Sequence, residues 1–151
     1  MGIDRLSLRE YENRRNFDKT SEPMGQLREG KGSIYVVQKH AATHLHYDLR
    51  LEMDGTLKSW AIPKEPPIEP GVKRLAVQVE DHPLSYATFQ GTIPKGEYGA
   101  GTVEIWDKGT FKLMDRKEDK LIVEINGEKL RGSYVFVRLK GKQNWLFFKK
   151  K

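Results

Sequence analysis

The sequence contains no cysteine and only four histidines among its 151 residues. Without cysteine, it can form neither disulfide bonds nor thiolate-bound zinc sites. It also lacks a bilayer-length apolar run and a secretory leader pattern, so we expect a soluble, cytoplasmic protein with no membrane partner. Helix signals are scarce: one capping motif, Ser7 to Glu10, predicts a single short helix from about Leu8 to Arg14.

Positive charge is in excess. Lysine and arginine number 27 against 21 acidic residues, a formal net charge of +6. A surplus of this size favours a polyanionic partner, although it does not distinguish nucleic acid from other anions or from a merely basic, soluble protein. The length predicts one domain over residues 1–151. Within it we expect an N-terminal helix and arm (1–32) and a β-barrel (33–149).

Short β-rich segments separated by turns fill the chain from residue 33 onward. An Asp54-Gly55 pair marks a tight hairpin, and four prolines between residues 63 and 70 predict a rigid loop. Eight or nine short strands predict an all-β protein. The simplest architecture is a closed or partly closed β-barrel of about eight strands with a short N-terminal helix, because closure removes exposed strand edges.

Three of the four histidines lie in one stretch, residues 38–52, which contains the clearest pattern of the sequence. From Leu45 the polarity alternates strictly, which is typical of a half-buried strand. The apolar parity should face the core. The other parity carries an imidazole, a carboxylate and a guanidinium in a row, from His46, Asp48 and Arg50.

These polar side chains have the chemistry of a metal site. Residues two apart on a strand lie about 6–7 Å apart along it, so His46 and Asp48 can converge on one ion. If residues 41–44 fold back, His40 supplies a third donor, and Arg50 can reach a bound phosphate. Three N/O donors with room for water are typical of catalytic metal sites. A solvated, charged strand face is the alternative.

A second strand, residues 74–82, repeats this pattern. Its apolar parity is Leu75, Val77 and Val79, and its polar parity includes Arg74, Glu80 and His82. If both strands face one cleft, their polar side chains form a single site, in which Glu80 could hydrogen-bond a ligand histidine. His82 could then hold a phosphate oxygen or protonate a leaving group.

Three further segments are weaker candidates. The polar arm after the predicted helix carries Arg15 and Glu22, and the proline-rich loop carries Lys64; these side chains could lie along a phosphate site. The glycine-rich segment 91–101 looks like a phosphate cradle but has no nucleotide-binding spacing. Its glycines are better explained as strand corners of a small barrel.

Five segments closely resemble the 3′-phosphoesterase domain of DNA ligase D, and the similarity extends from about Leu8 to Lys149. They are residues 35–42, 44–52, 57–64, 79–86 and 91–101. The resemblance implies a stand-alone, manganese-dependent enzyme, with Co²⁺ or Zn²⁺ able to occupy the site. Such an enzyme removes a 3′-terminal ribonucleoside from DNA and then removes the 3′-phosphate left behind.

The resemblance also assigns residues position by position. It implies that His40, His46 and Asp48 bind the metal and that Arg50 and His82 contact phosphate. Supporting active-site positions are matched by Arg15, Glu22, Lys64, Arg74, Glu80 and Tyr86. The family commonly has aspartate where this chain has Asn16, so a step that needs negative charge there is in question.

The implied partners are DNA 3′ ends in primer-template or duplex form, with DNA ligase, polymerase/primase and Ku proteins by analogy. We expect a monomer or weak dimer, associated with the nucleoid when bound to DNA. Three other functions stay open from the residues alone. They are a non-catalytic, metal-stabilised nucleic-acid-binding barrel, a metal-stabilised interaction module and a hydrolase of small phosphodiesters.

Overall fold

The structure is a computed structural model that describes residues 33–141 and 143–151. The described ranges contain nine strands and a 3₁₀ helix, Leu84–Thr88. In chain order the strands are β1 Ser33–Ala41, β2 Leu45–Met53, β3 Thr56–Ile62, β4 Lys73–His82, β5 Gly91–Ile93, β6 Gly101–Lys117, β7 Lys120–Gly127, β8 Arg131–Arg138 and β9 Asn144–Lys149. The predicted N-terminal helix lies outside the described residues.

Eight of these strands close into an antiparallel barrel, which confirms the predicted fold class. The strand order is β1-β2-β3-β4-β9-β8-β7-β6, and pairing of β1 with β6 completes the ring. The seventeen-residue strand β6 is long enough to pair with β1 on one edge and with both β5 and β7 on the other. The short strand β5 thus pairs with the start of β6 on the edge that β7 occupies farther along, and it is not one of the eight strands of the ring. None of the helices in the described ranges is long and apolar enough to cross a membrane.

Alternate side chains along the strands of the ring fill the barrel interior. On β2, Tyr47, Leu49 and Leu51 are buried in the main core, as the alternation predicts. Aromatic rings occupy much of the remaining interior, including Trp60 packed at 4.6 Å against Phe136. The polar parity of β2 therefore points out of the barrel.

The predicted facing of β4 is wrong. Leu75 is 41% exposed, whereas its neighbour Ala76 is fully buried in the core. The register of β4 against β3 explains why His82 still faces out of the barrel. Ser59 pairs with Val79, but Leu57, two residues earlier on β3, pairs with His82, three residues later on β4. The extra β4 residue in this step is a β-bulge, which reverses the facing of the residues after it.

The outer face of β1, β2 and β3 is covered by a second, smaller apolar cluster. The 3₁₀ helix packs on it through Ala87, which contacts Val36 and Leu57 outside the barrel. Tyr86 of the same helix covers Arg50, which is only 3% exposed, and Asp48 beside it is 7% exposed. The alternative of a solvated, charged strand face is therefore wrong for these two positions.

Candidate metal centre and active site

The pairing of β1 with β2 brings the three proposed metal ligands together. His40 lies directly opposite His46, and Gln38 lies opposite Asp48. Opposed residues on antiparallel strands have Cβ atoms about 5 Å apart, so the two imidazoles and the carboxylate converge on one spot. The hairpin turn between the strands supplies the predicted fold-back.

The three donor atoms have the spacing of ligands to one ion. Asp48 Oδ2 lies 3.6 Å from His40 Nδ1 and 3.4 Å from His46 Nε2. The ligand atoms of all three residues lie within 4.8 Å of one another. Two atoms bound at about 2.1 Å to one cation are separated by roughly 3.0–3.5 Å at right or tetrahedral angles, so the arrangement fits a divalent ion with little adjustment.

Main-chain carbonyls set the tautomer of both imidazoles. His40 Nε2 donates to Gly99 O and His46 Nδ1 donates to His44 O, each at 2.9 Å. These bonds fix the far nitrogen of each ring as a hydrogen-bond donor, so a cation that displaces any proton from the near nitrogen meets a lone pair beside Asp48, as metal-binding histidines require. The carbonyls of Gly99 and His44 thus occupy the far nitrogens of both rings.

Electrostatics keep the carboxylate ionised. Burial alone would raise the pKa of Asp48, but hydrogen bonds with His40 and His46 and the charge of Arg50 hold it well below its ordinary value. The hydrogen bond with Asp48 in turn raises the pKa of His46. The site therefore offers a full negative charge to a cation.

Arg50 is fixed in place beside the carboxylate. Its Nη2 lies 3.6 Å from Asp48 Oδ2, its Nε donates to Gln38 Oε1 at 2.6 Å, and its Nη1 donates to Ser59 Oγ at 2.8 Å. Its Nη1 also lies 3.2 Å from His82 Nδ1. A guanidinium held by this many polar atoms is pre-positioned for an anion bound next to the metal site.

Tyr86 packs against both of the expected phosphate-contacting residues. Arg50 Cζ lies 4.9 Å from the centre of the Tyr86 ring, and the His82 ring lies 4.8 Å from it. His82 Nδ1 is also 3.0 Å from Glu80 O. The 3₁₀ helix therefore carries the aromatic surface that holds the arginine and histidine side by side.

These residues line one cavity of about 280 Å³ on the outside of the barrel. Its lining consists of His40, Ala42, His46, Asp48, Arg50, Ala61, Val79, Glu80, His82, Tyr86, Ile93, Tyr98 and Gly99. Seven predicted site residues are thus brought together. Two others are not among the lining residues: Lys64 is exposed in the loop after β3, and Arg74 Nε donates to Glu65 O. Arg15 and Glu22, together with Asn16, lie outside the described residues.

Sequence reasoning missed two buried polar side chains, Gln38 and Ser59. Gln38 is completely buried; its Oε1 accepts from Arg50, and its Nε2 donates to the carbonyls of Tyr86 and Phe89 at 2.8 and 3.1 Å. It therefore connects the arginine to the segment that covers the site. A signal was present, because Gln38 is two residues from His40 and shares its face of β1.

Comparisons with known proteins identify the family of the chain. The sequence model of the DNA Ligase D 3′-phosphoesterase domain matches residues 38–138. The chain is 50% identical to the multifunctional non-homologous end joining protein LigD of Pseudomonas aeruginosa, over 95% of this chain and 18% of that protein. It is 45% identical to LigD of Mycobacterium bovis over 95% of this chain, and 44% identical to LigD of Mycolicibacterium smegmatis over 92%.

The chain thus spans about a fifth of the length of the curated relatives that it matches. The matched region nevertheless includes every ligand of the candidate metal centre, from His40 to Asp48, as well as Arg50 and His82. The chain belongs to the DNA ligase D 3′-phosphoesterase domain family.

Proposed function

We propose that this domain is a divalent-metal-dependent phosphoesterase that repairs DNA 3′ ends. Its substrate is a strand ending in a ribonucleotide or a 3′-phosphate, and its final product is a 3′-hydroxyl. The observation that carries this proposal is the cavity itself, in which two imidazoles and an ionised carboxylate lie beside a fixed arginine and a histidine. The family of the chain and the names of its relatives support the same role.

The donor set fits a divalent cation of the manganese, cobalt or zinc type, because imidazole and carboxylate ligands suit all three. His40, His46 and Asp48 would hold this ion, which would polarise a phosphoryl oxygen and lower the pKa of a bound water. By analogy with the family we propose Mn²⁺ as the metal.

The remaining residues act on the phosphate and the leaving group. Arg50 offsets negative charge on the non-bridging oxygens. Gln38 and Ser59 hold its guanidinium in position, so the arginine does not have to reorient during the reaction. In the first step water adds to phosphorus and the P–O5′ bond breaks, so the ribonucleoside departs with a 5′-hydroxyl. In the second step water adds again, and the P–O3′ bond breaks to give inorganic phosphate. His82 holds a phosphate oxygen or protonates the departing oxygen.

Two substrates separate the two roles of His82. If His82 is the acid, His82→Ala should slow hydrolysis of a DNA 3′-phosphate by about 100-fold or more, but p-nitrophenyl phosphate much less, since nitrophenolate needs no proton to leave. Equal losses of hydrolysis rate on both substrates would show that His82 only holds a phosphate oxygen.

Lys64, Arg74, Arg15 and Glu22 stay as proposals from the resemblance. Lys64 lies three residues beyond Ala61, a lining residue of the cavity, and we propose that it contacts the DNA strand leading to the site. DNA ligase, polymerase and Ku are proposed as partners on the same grounds. Contacts to phosphates predict that DNA binding weakens steeply as salt rises.

His46→Ala tests the proposal. With metal removed and Mn²⁺ restored, the variant should lose both activities on a primer-template that ends in one ribonucleotide. His44→Ala is a matched control, because the His44 side chain is exposed and only its main-chain carbonyl supports His46. Near wild-type turnover by His46→Ala would sink the ligand assignment. Wild-type protein that binds DNA but cuts neither substrate would point to a non-catalytic barrel.

A further inference from the structure

The cavity has more surface than the chemistry of a phosphate requires. Part of its wall is ionic or polar, but another part is apolar and includes Ala42, Ile93 and Tyr98. A metal ion and a phosphoryl group make no use of apolar surface. At about 280 Å³, the cavity also approaches the size of sites that hold small organic molecules.

Tyr98 stands out on this wall because its side chain is 47% exposed although it lines the cavity. It belongs to the loop between β5 and β6, in which the backbone N–H groups of Glu97 and Ala100 donate to Pro94 O and Glu97 O. The loop is therefore folded as consecutive turns that present the ring toward solvent and the site together.

The position of this ring is tied to the metal centre. Tyr98 directly precedes Gly99, whose carbonyl accepts the hydrogen bond from His40 Nε2 at 2.9 Å. Gly101 anchors the end of the loop against β1: its φ is +132°, and a Cβ there would lie 2.5 Å from Ala41 O. Consecutive Cα atoms are about 3.8 Å apart, so the ring is held one residue from the contact that orients a metal ligand.

We propose that Tyr98, with Ile93 on the same apolar wall of the cavity, is the platform on which the base of the departing 3′-terminal ribonucleoside stacks. An aromatic ring stacks on any of the bases, so such a platform would select for a nucleoside without selecting its sequence. This inference rests on the proposed function and makes Tyr98 a specificity-determining residue of its first step. The second step has no departing nucleoside and gains nothing from the platform.

Separate assays of the two steps test this inference. Tyr98→Ala should lower kcat/KM for removal of a terminal ribonucleoside by about 5- to 100-fold. Hydrolysis of the matching DNA 3′-phosphate should stay within about twofold. Tyr98→Phe should retain both activities, because the ring and not the hydroxyl makes the stack. Equal losses in the two steps, no loss in either, or a first-step loss in Tyr98→Phe would each overturn the proposal.

A second substrate shows whether the base itself is the contact. A primer ending in an abasic ribose lacks the base that stacks, so Tyr98→Ala should cost it no more than about twofold relative to the wild type. A full loss on this substrate would contradict the proposal. Mn²⁺ titration of Tyr98→Ala must match the wild type, since weaker binding would mean that Tyr98 acts through His40. Wild-type protein inactive on both steps would instead refute the proposed function.

Discussion

Gln38 provides the sharpest test of how the fold positions the site. Replacement by methionine keeps the approximate size and shape of the side chain and removes its polar atoms. The variant loses the acceptor for Arg50 Nε at 2.6 Å and the donor to the carbonyls of Tyr86 and Phe89. Because Gln38 is fully buried, water cannot replace these bonds.

The magnitude is set by the three hydrogen bonds. A bond to a charged group contributes about 1.5–3 kcal/mol to stability, and each neutral bond contributes about 1 kcal/mol. Gln38→Met should therefore lower the free energy of unfolding by about 3.5–5 kcal/mol. Without its Nε anchor Arg50 also shifts, and a misplacement of about 1 Å can cost on the order of 100-fold in rate.

Urea denaturation of the metal-free protein measures the first effect, and turnover of a DNA 3′-phosphate measures the second. Gln143→Met is the control. Gln143 is exposed, and the hydrogen bond that its amide donates to Gln78 O is long, at 3.4 Å. The free energy of unfolding of this variant should therefore stay within about 0.5 kcal/mol of the wild-type value. If Gln38→Met unfolds at the wild-type urea concentration and turns over normally, the argument that Gln38 holds Arg50 and the 3₁₀ segment is refuted.

Three further changes test other parts of the structure. Gly101→Ala should weaken Mn²⁺ binding at least tenfold, because the added Cβ would meet Ala41 O beside His40. The control Gly96→Ala, at a glycine that also has a positive φ but has open space around it, should leave Mn²⁺ binding unchanged. Equal Mn²⁺ affinities of the two variants would contradict this account. Asp107→Ala should lower the free energy of unfolding, measured in urea, by at least about 3 kcal/mol, because this buried carboxylate accepts hydrogen bonds from one hydroxyl and three backbone N–H groups. A loss below about 1 kcal/mol would contradict the view that these four bonds stabilise the barrel. Burial and the Asp107 carboxylate raise the pKa of Tyr35, so its hydroxyl contributes its full stabilisation below about pH 10 and loses it as the pH rises further. Tyr35→Phe should therefore reduce the alkaline fall in the free energy of unfolding, measured from about pH 8 to 11. An unchanged dependence of that free energy on pH would refute this assignment.

The sequence was sufficient for the barrel and for the core of the site where local pattern decides structure. The alternation on β2 predicts which side chains fill the barrel and which face outward, because the two faces of a strand differ by single residues. His46, Asp48 and Arg50 emerge directly from that pattern. The same reasoning failed on β4, where a bulge between Val79 and His82 changes the facing without any signature in the local alternation.

The contacts that complete the site depend on distant parts of the chain. Gly99 supports His40 through a main-chain carbonyl, which every residue type possesses, so no sequence pattern could identify it. The cover over Arg50 comes from Tyr86 of the 3₁₀ helix, which lies more than thirty residues later in the chain. Lys64 and Arg74 illustrate the converse, because neither side chain is among the lining residues. The proline-rich loop offers no period from which the direction of Lys64 could be predicted, and the bulge in β4 separates the facing of Arg74 from that of His82.

Calorimetric titration of Mn²⁺ and Zn²⁺ into metal-free protein tests the central claim most directly. The wild type and His44→Ala should bind one ion per chain, and His40→Ala, His46→Ala and Asp48→Ala should each bind at least about 100-fold more weakly. Wild-type affinity in any of these three variants, or no binding of either ion by the wild type, would contradict the metal centre on which the proposed function depends.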